Sequence, residues 1–447
     1  MDKKVRLVNI SRQTNQIQFP IWASVLNNSL RKHGIETEII DLIPIDLEER
    51  EKQFMNALGT EPAIYGFSIT AGNRHVDENE RYAEMIKKRN PENVVVYGGP
   101  LSSAIPGMLL DRGNCDYVIP GEGEDSFPQL ASSIIAGKIP EPKEGLFFKQ
   151  NGTLVGSKRK EIRTLDNLSE PDFEGFDMDF YMNYLKEAEF SWELMASRGC
   201  KFNCSFCYKL CGTGMVYRPV DNTLDEMQWI IDNHNFKRFY FVDENLLADN
   251  TFFDTFIDRK NARHLDFTFR GMSRADAITE EKCKKGKDNG LLSMSFGIES
   301  INQASLNKTG KGTRIQQIED TIKLLTKYDL RASMGFVFGL PWETEKDWEA
   351  TYNFIKNNGI EGFFKLSYLT PLPATRIYDE AVSRGLIKDE FEYIRSLGDL
   401  YWEKAVNMTS VPDDVYTGWY NKLSGLNTKK VVYPKSPHFL KQIRKIH

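Results

Sequence analysis

The most constraining feature of the sequence is a run in which three cysteines lie within eight residues. Cys200, Cys204 and Cys207 follow the spacing C-x3-C-x2-C, and Phe206 precedes the last of them. Thiolates are the ligands that the irons of iron–sulfur clusters prefer, so one short loop can hold three corners of a cubane cluster. Three ligands for four irons leave one iron open. The run therefore predicts a four-iron cluster that can accept another molecule.

A closed four-cysteine site is the competing interpretation, because Cys211 follows Cys207 after three intervening residues. Zinc fingers usually take their ligands from two separated pairs, which this run lacks. The ferredoxin run is C-x2-C-x2-C-x3-C followed by proline, whereas the first gap here is three residues and Gly212 follows Cys211. The spacing favours the open cluster and leaves the closed site as an alternative. We expect Cys115 and Cys283 to be buried thiols, and six cysteines in 447 residues to form no disulfide framework.

Length and composition are typical of a large globular enzyme. The chain has 447 residues, 40% of them hydrophobic and 12% aromatic, enough for two or three domains. No apolar run reaches eighteen residues, and the first residues carry no leader pattern, so we expect no membrane span or signal peptide. The net charge of -5 argues against a general nucleic-acid binder. Free thiols and an oxygen-sensitive cluster favour a cytoplasmic location.

The first 140 residues alternate short apolar runs with amphipathic stretches. This alternation predicts an α/β domain with a doubly wound, Rossmann-like parallel sheet over residues 1–140. Ligands in such folds bind beyond the carboxyl ends of the strands. The predicted helices cover 20–33, 77–90 and 124–136, and the predicted strands cover 5–10, 36–41, 63–69, 93–97 and 116–119.

The loops after the third, fourth and fifth predicted strands are rich in glycine and hydroxyl groups. Glycine lets a ligand approach the backbone, and hydroxyls can bond amide or phosphate groups. Ordinary turn chemistry explains any one of these loops equally well. The candidate binding residues are Ser68, Thr70, Gly98, Gly99, Pro100, Gly121 and Glu122.

A linker precedes a second region of alternating strands and helices. Residues 141–190 are predicted to be a linker with a hairpin at Asn151-Gly152. Six predicted strands within 191–385 fit a partial (β/α)6 TIM barrel, in which reactive groups gather on the loops after the strands. Residues 386–447 are predicted to form a small helical region with a basic tail, which is solvated by default and could dock an acidic peptide or carrier. The six strands are expected near 192–196, 238–242, 266–269, 292–296, 332–338 and 363–368.

The cysteine run, Gly98-Gly99-Pro100 and Pro120-Gly-Glu-Gly-Glu124 together resemble one family. It is the cobalamin-binding-domain radical S-adenosylmethionine (SAM) family, which includes methyltransferases and the magnesium-protoporphyrin cyclase type. The resemblance covers about residues 4 to 385. The motif Asp-x-His-x-x-Gly, whose histidine ligates cobalt from below in many cobalamin domains, is missing, because His75 lacks the matching residues. The resemblance thus implies cobalamin bound without a lower histidine ligand, or a domain that has lost cobalamin.

The resemblance also implies roles for single residues. A 4Fe-4S cluster on the three cysteines would bind SAM at its open iron, and the glycine- and hydroxyl-rich loops would hold cobalamin. Taken alone, each polar residue is more commonly solvated or structural, and Glu226 is expected to form an internal salt bridge. The implied SAM contacts are Asp243 for the methionine part, Arg270 and Lys311 for the carboxylate, Glu299 for the ribose, and Phe206 and Gly339 for the adenine.

The implied activity is C-methylation of an unactivated carbon in a natural product or peptide. The implied partners are a small-molecule or peptide substrate and reduced flavodoxin or ferredoxin as electron donor. A radical cyclisation, ring rearrangement or oxidation with the same cofactors is the nearest alternative. A non-catalytic iron–sulfur or cobalamin-binding protein is the alternative from another class.

Overall fold

The computed structural model describes residues 4–10, 17–141, 144–158, 170–208, 214–397 and 406–427. The chain divides into two compact units. Unit 1 contains Met1–Glu189, Asp389–Tyr401 and Tyr433–His447, and unit 2 contains Phe190–Lys388 and Trp402–Val432. The first break, between residues 189 and 190, lies one residue before the predicted barrel. The predicted C-terminal region is shared between the two units.

The strands form a seven-stranded sheet in unit 1, and a six-stranded sheet and a two-stranded ladder in unit 2. They are β1 (Lys4–Asn9), β2 (Glu36–Asp41), β3 (Ile64–Ser68), β4 (Val94–Gly98), β5 (Tyr117–Val118), β6 (Leu146–Gln150), β7 (Thr153–Ser157), β8 (Trp192–Leu194), β9 (Ser197–Arg198), β10 (Val216–Tyr217), β11 (Arg238–Phe241), β12 (Thr268–Met272), β13 (Leu291–Glu299), β14 (Arg331–Phe338) and β15 (Phe364–Tyr368).

Helices connect most of these strands. They are α1 (Ile21–Lys32), α2 (Arg50–Ala57), α3 (Asn73–Arg89), α4 (Pro100–Ala104), α5 (Pro106–Asp111), α6 (Ser126–Ile135), α7 (Met178–Glu187), α8 (Val220–His234), α9 (Asn250–Ala262), α10 (Glu280–Asp288), α11 (Gln303–Thr309), α12 (Ile315–Lys327), α13 (Glu345–Asn357), α14 (Arg376–Ser383), α15 (Glu390–Ser396) and α16 (Asp413–Ser424). None of the helices in the described part of the chain is long and apolar enough to cross a bilayer.

Unit 1 is built on the sheet order β2-β1-β3-β4-β5-β6-β7. Strands β1 to β5 pair in parallel, and the order reverses at β1, as in a doubly wound fold. The predicted α/β fold is confirmed. The predicted hairpin is also present, with Asn151 and Gly152 at φ 51 and 78, but β6 pairs antiparallel with β5 and so extends this sheet.

The core of unit 1 lies between the sheet and the helices α1 and α6. Alternate residues of β1 point to this side because side chains alternate along a strand. The sequence period of two therefore supplies one continuous apolar face. The buried cluster consists of Val5, Leu7, Ala23, Leu30, Ile35, Ile64, Val96, Ile119, Phe127, Leu130, Ala131, Leu146 and Phe148.

Unit 2 is built on a sheet in which all six strands are parallel, in the order β15-β14-β13-β12-β11-β8. Each strand lies beside the next barrel strand in the sequence, which is the arrangement of a (β/α) barrel. Strands β8 and β15 form the two edges of this sheet in the part of the chain described, so the barrel is partial, as predicted. The carboxyl ends of all six strands share one edge.

Phenylalanines mark the helix side of the second sheet. Phe241 and Phe269 pack edge-to-face on Phe256 of α9, with ring centroids 5.3 and 5.5 Å away. Phe239 and Phe267 belong to the same cluster. Residues between these positions therefore point to the opposite, inner face of the sheet.

The C-terminal helices attach to different units. Arg395 of α15 forms an ion pair with Asp77 of α3 at 2.8 Å, within unit 1. In unit 2, the ring of Tyr420 on α16 stacks on Tyr368 of β15 at 3.7 Å. The predicted helices are thus present, whereas Tyr401, Trp402 and most of the basic tail lie outside the described residues.

A buried ion pair fixes the start of α8, and it confirms the internal salt bridge predicted for Glu226. Arg218 donates to Glu226 at 2.7 Å, and the two side chains are 2% and 7% exposed. The same guanidinium donates to the Met195 carbonyl at 3.0 Å. Removing one partner of a buried pair leaves the other charge unpaired.

We expect Glu226→Ala to lower the free energy of unfolding by about 3–5 kcal/mol. The thermal midpoint should fall by about 10 °C for a unit of this size. Asp225→Ala is the matched control, because it removes the neighbouring carboxylate of α8 from a surface pair with Arg263. That loss should be under about 1 kcal/mol. Equal shifts in both variants, measured by thermal denaturation, would contradict the prediction.

Candidate functional site

The cysteine loop begins and ends at the two-stranded ladder. Ser197 and Arg198 of β9 pair antiparallel with Tyr217 and Val216 of β10, a ladder that the sequence did not indicate. Asp243, at the end of β11, accepts hydrogen bonds from Ala196 N at 3.2 Å and from Ser197 Oγ at 2.5 Å. The loop therefore starts from a fixed position at the carboxyl edge of the second sheet. Cys211, on which the closed-site alternative depends, lies outside the described residues.

Residues of two later helices, α11 and α14, hydrogen-bond to the backbone of the cysteine loop. Ser205 N donates to Thr309 O at 2.7 Å, at the end of α11. Arg376, the first residue of α14, donates to Asn203 O at 2.6 Å. Gly310 closes α11 at φ 74, where a Cβ would lie 3.1 Å from Asn203 O, so a glycine permits the close approach. The loop conformation is thus set by elements more than a hundred residues away in the chain.

Arg274 connects the loop to the end of β12. Its guanidinium lies 3.4 Å from the ring centroid of Phe202. It also forms an ion pair with Asp276 at 2.9 Å and donates to Lys311 O at 2.7 Å. This residue was missed in the sequence analysis, although arginine two residues before aspartate at a strand end is a recognisable pairing pattern.

Two of the three thiols in this loop have raised pKa values. Desolvation raises the pKa of Cys204, while the positive charges of Lys311 and Arg274 oppose the rise. Desolvation and the charges of Cys204 and Glu244 raise the pKa of Cys207 to about 12. Iron therefore has to displace protons when it binds here. No three His, Cys, Asp or Glu side chains in the described ranges could hold a single metal ion.

An ion pair lies next to these thiols. Lys311 donates to Glu299 at 2.7 Å, and their side chains are 6% and 15% exposed. Glu299 has φ 65 and sits where the β13–β14 register shifts, so its carboxylate reaches across the strand end. The structure thus brings two of the predicted SAM contacts together beside Cys204.

Asp243 is placed differently from its predicted role. Its carboxylate is buried, and both oxygens face Ala196 N at 3.2 Å. Burial raises its pKa to about 6, while the hydrogen bonds from Ser197 and the backbone oppose the rise. These contacts position the strand end that precedes the cysteines. Its predicted contact with the methionine part of SAM stays a prediction.

Arg270 lies in the middle of β12, four residues before Arg274. It points to the inner face and donates to Ser191 Oγ at 2.8 Å. Burial and the neighbouring cations Arg238 and Arg331 lower its pKa. The structure does not place Arg270 with the cysteine loop, and its predicted contact with the SAM carboxylate stays a prediction.

Gly339 follows β14 with φ 91, and a Cβ there would overlap the Tyr416 hydroxyl of α16. The loop is fixed by Glu343, which accepts from Gly339 N at 3.1 Å and from Ser300 Oγ at 3.1 Å. Burial raises the pKa of Glu343 to about 7. Sequence analysis missed this role of Glu343. Phe206 is half-buried and Gly339 is buried. Their contacts with the adenine of SAM stay predictions.

The predicted loops of unit 1 lie side by side at the carboxyl edge of the first sheet. Ser68 and Gly98 end the paired strands β3 and β4, Gly99 follows β4, and Pro100 begins α4. Gly121 N donates to Ser103 Oγ at 2.7 Å, which joins the loop carrying Gly121 and Glu122 to the same edge. Gly99 has φ 89, and a Cβ there would lie 2.5 Å from Ser68 Oγ and 2.9 Å from Ile69 N.

Two hydroxyls at this edge are buried without a hydrogen-bond partner among the described residues. They belong to Thr70, 3% exposed, and Ser102, 0% exposed. Buried hydroxyls are normally paired. Unpaired hydroxyls beside close-packed glycines fit a ligand with amide or phosphate groups. Ser102 was not among the predicted residues, because the sequence does not show which hydroxyl of the Ser102-Ser103 pair is left without a partner.

The two candidate sites lie at the carboxyl edges of the two sheets. They define a class of enzyme that has a cysteine loop for an iron–sulfur cluster on a partial barrel and a doubly wound unit that binds a second ligand. Family models agree. The B12 binding domain model matches residues 10–131, and the radical SAM superfamily model matches residues 194–355.

Relatives and solved structures are similar to most of this chain. An uncharacterised methyltransferase of Pyrococcus horikoshii is 29% identical over 331 residues, 73% of this chain and 71% of the relative. The anaerobic magnesium-protoporphyrin IX monomethyl ester cyclase of Rubrivivax gelatinosus is 25% identical over 373 residues, 81% of this chain and 66% of the relative. The radical SAM methyltransferase TsrM of Kitasatospora setae, solved with cobalamin and a [4Fe-4S] cluster, shares the fold with a TM-score of 0.72 at 18% identity, over 86% of this chain and 75% of that chain.

The chain carries a B12-binding domain followed by a radical SAM domain, and it is a radical SAM enzyme whose relatives include methyltransferases. The predicted family and enzyme class are confirmed. The predicted cofactors, a 4Fe-4S cluster, SAM and cobalamin, are those of this class.

We expect Gly297→Ala to weaken SAM binding by about tenfold or more. A Cβ at Gly297 would overlap the Glu299 carboxylate and lie 2.7 Å from Lys311 Nζ, so the ion pair has to move. Gly335→Ala is the matched control on the neighbouring strand, where a Cβ would make only a 3.7 Å contact with Gly297 Cα. Anaerobic equilibrium binding of SAM to the reconstituted protein measures both. Wild-type affinity in Gly297→Ala would refute a role for the pair.

We also expect Gly99→Ala to lose cobalamin, since the added methyl group displaces Ser68 and Ile69. Gly113→Ala is the control, because Gly113 has a similar φ of 78 but no atom within 4 Å of its Cβ position. Both variants place an alanine at a positive φ, and Gly99 has the close contacts in addition. Bound cobalamin is measured by absorbance after desalting. Equal retention in the two variants would contradict the placement of cobalamin at this edge.

Proposed function

We propose that this chain is a C-methyltransferase that acts on an unactivated carbon of a natural-product or peptide substrate. The observation that carries the proposal is a three-thiol loop, held beside the Glu299–Lys311 pair, in a chain whose other unit presents buried, unpaired hydroxyls for a second cofactor. The methyltransferase name of the relative from Pyrococcus horikoshii supports this reaction.

The chain supplies ligands and positions them. Cys200, Cys204 and Cys207 would hold the cluster, and Glu299 with Lys311 would bind SAM beside it. When bound, the cluster and SAM supply a radical that removes hydrogen from carbon, and cobalamin supplies a methyl group. The protein's own contribution is orientation, because no acid–base side chain can activate such a carbon.

The loops of unit 1 would hold cobalamin through backbone and hydroxyl groups. Gly98 and Gly99 let the ligand approach the chain, and Thr70 has a buried hydroxyl to offer. Ser68, Pro100, Gly121 and Glu122 complete this proposed edge. His75 lies in the first turn of α3, and we assign it no cobalt contact.

The proposed substrate class and electron donor are inferred from the reaction and not from the shape of a pocket. A cluster that must be reduced needs a one-electron donor, and reduced flavodoxin or ferredoxin is the proposed class. The substrate is a small molecule or a peptide.

Radical cyclisation is the second candidate function, because one relative that covers 81% of this chain is named a cyclase. The two reactions differ in products. A methyltransferase forms S-adenosylhomocysteine as well as 5′-deoxyadenosine, whereas a cyclase forms deoxyadenosine without S-adenosylhomocysteine.

The test begins with anaerobic reconstitution using iron, sulfide and hydroxocobalamin, followed by desalting. We expect about four irons per chain and one retained cobalamin. Cys204→Ala should lose the iron and keep the cobalamin, and Cys283→Ala should keep both, because Cys283 is a buried thiol far from the loop in the sequence.

Labelled SAM, a reductant and candidate substrates then separate the functions by mass spectrometry. Label in a product together with both SAM-derived products supports methyl transfer. Deoxyadenosine alone supports the cyclase. A cluster whose spectrum does not change on addition of SAM would refute both and favour a non-catalytic cluster protein.

A further inference from the structure

The inner face of the second sheet is polar and open. In the middle of β13 and β14, alternation places only small side chains on this face, opposite the phenylalanine layer. Barrel interiors are usually filled by bulky branched residues. Here Ser333 and Lys365, both within strands, are solvent-exposed. The small residues of this face are Ser293, Ser295, Gly297, Ser333 and Gly335.

A row of polar residues crosses five strands of this face. Register pairs connect each residue to the next, so all lie at one level. Two of the five are arginines and one is an acid. The row consists of Glu193, Tyr240, Arg270, Ser293 and Arg331.

Two further cations extend the row. Arg238 precedes Tyr240 by two residues on the same face of β11. Lys365 of β15 pairs in register with Gly335. Toward the amino ends of the strands, the described residues of the inner face thus include one acid, Glu193, and four cations. The cations are Arg238, Arg270, Arg331 and Lys365.

Described carboxylates act on the central arginines only from a distance, Glu193 on Arg270 and Asp329 on Arg331. Arg270 bonds the neutral hydroxyl of Ser191 and lies 5.8 Å from the ring centroid of Tyr240. Neither Arg270 nor Arg331 forms an ion pair within the described ranges, and Asp329, near Arg331, is paired with Lys287 at 2.9 Å. Burial lowers the pKa of Arg270, and Arg238 and Arg331 lower it further, while Tyr240 and Glu193 raise it. Among the described residues of this face, cations thus outnumber acids.

We propose that this inner face binds an oxyanionic group of the substrate, a phosphate or a carboxylate, with Arg270 and Arg331 as its main contacts. This inference rests on the proposed function and narrows its substrate class. Guanidinium groups bind such oxyanions in bidentate fashion.

The position of the cations bears on the shape of the substrate. Ser293 and Glu299 are six positions apart along β13, about 20 Å at roughly 3.3 Å per residue. Only serine and glycine lie between them on β13 and β14. An elongated substrate can therefore keep its anionic end at the arginines while its other end extends toward the Glu299–Lys311 pair.

Anion binding to the reconstituted full-length protein tests the inference. Anaerobic titration calorimetry with inorganic pyrophosphate and, separately, with citrate distinguishes phosphate from carboxylate recognition. We expect one probe to bind, and its affinity to fall by at least about tenfold in Arg270→Gln and in Arg331→Gln. Arg331 is exposed at the start of its strand, so its replacement should not disturb folding, and the thermal midpoint checks this.

The matched control is Arg259→Gln, since Arg259 is an exposed arginine in the last turn of α9 on the helix side of unit 2. Its replacement should leave the affinity unchanged. Binding of neither probe to the wild type, or an equal loss of affinity in all three variants, overturns the inference.

The same sample separates this inference from the proposed function. Retained cofactors and cleavage of SAM without anion binding would overturn the anion site alone. Anion binding that depends on Arg270 and Arg331 in a protein that does not cleave SAM would overturn the methyltransferase and leave the anion site standing.

Discussion

The catalytic half of this protein depends on how the cysteine loop is held. The loop follows the short strand β8, and its three thiols need a fixed backbone before they can share one cluster. Thr309, Arg376 and Arg274 provide that fixation through contacts with Ser205, Asn203 and Phe202. Because parallel strands end at one edge, residues far apart in the sequence converge on this loop.

The same contacts connect the cluster loop to the proposed SAM site. Arg274 donates to the backbone of Lys311, and Lys311 forms the ion pair with Glu299. Gly297 leaves the space that this pair occupies. A buried ion pair contributes little net stability when compared with apolar packing, since both charges have lost water. Its placement beside Cys204 is therefore better explained by binding than by stability.

Strand and helix patterns in the sequence predicted most of the fold, because strands such as β14 have strong local signals: 332–338 was predicted and Arg331–Phe338 is observed. The end of β13 was missed, since 292–296 was predicted and the strand covers Leu291–Glu299. The cysteine spacing and the glycine loops also predicted both candidate edges. The ladder β9–β10 was missed, since two-residue strands leave no periodic pattern. Asp243, Arg270 and Gly339 were assigned as SAM contacts by resemblance. Their tertiary contacts decide their positions: Asp243 accepts from Ala196 N, and Arg270 donates to Ser191. Gly339 packs against Tyr416. No local pattern contains those contacts.

The inner face of this barrel is polar, which distinguishes it from barrels whose interior is filled by packed apolar side chains. A packed interior gains stability from each bulky apolar side chain, whereas serine and glycine on β13 and β14 forgo that gain. Arg270 costs further free energy, because burial disfavours its charge and it has no ion pair among the described residues. The sheet is stabilised instead from its helix side, through Phe241, Phe256 and Phe269. This division leaves one face of the sheet available for recognition while the other supports the fold.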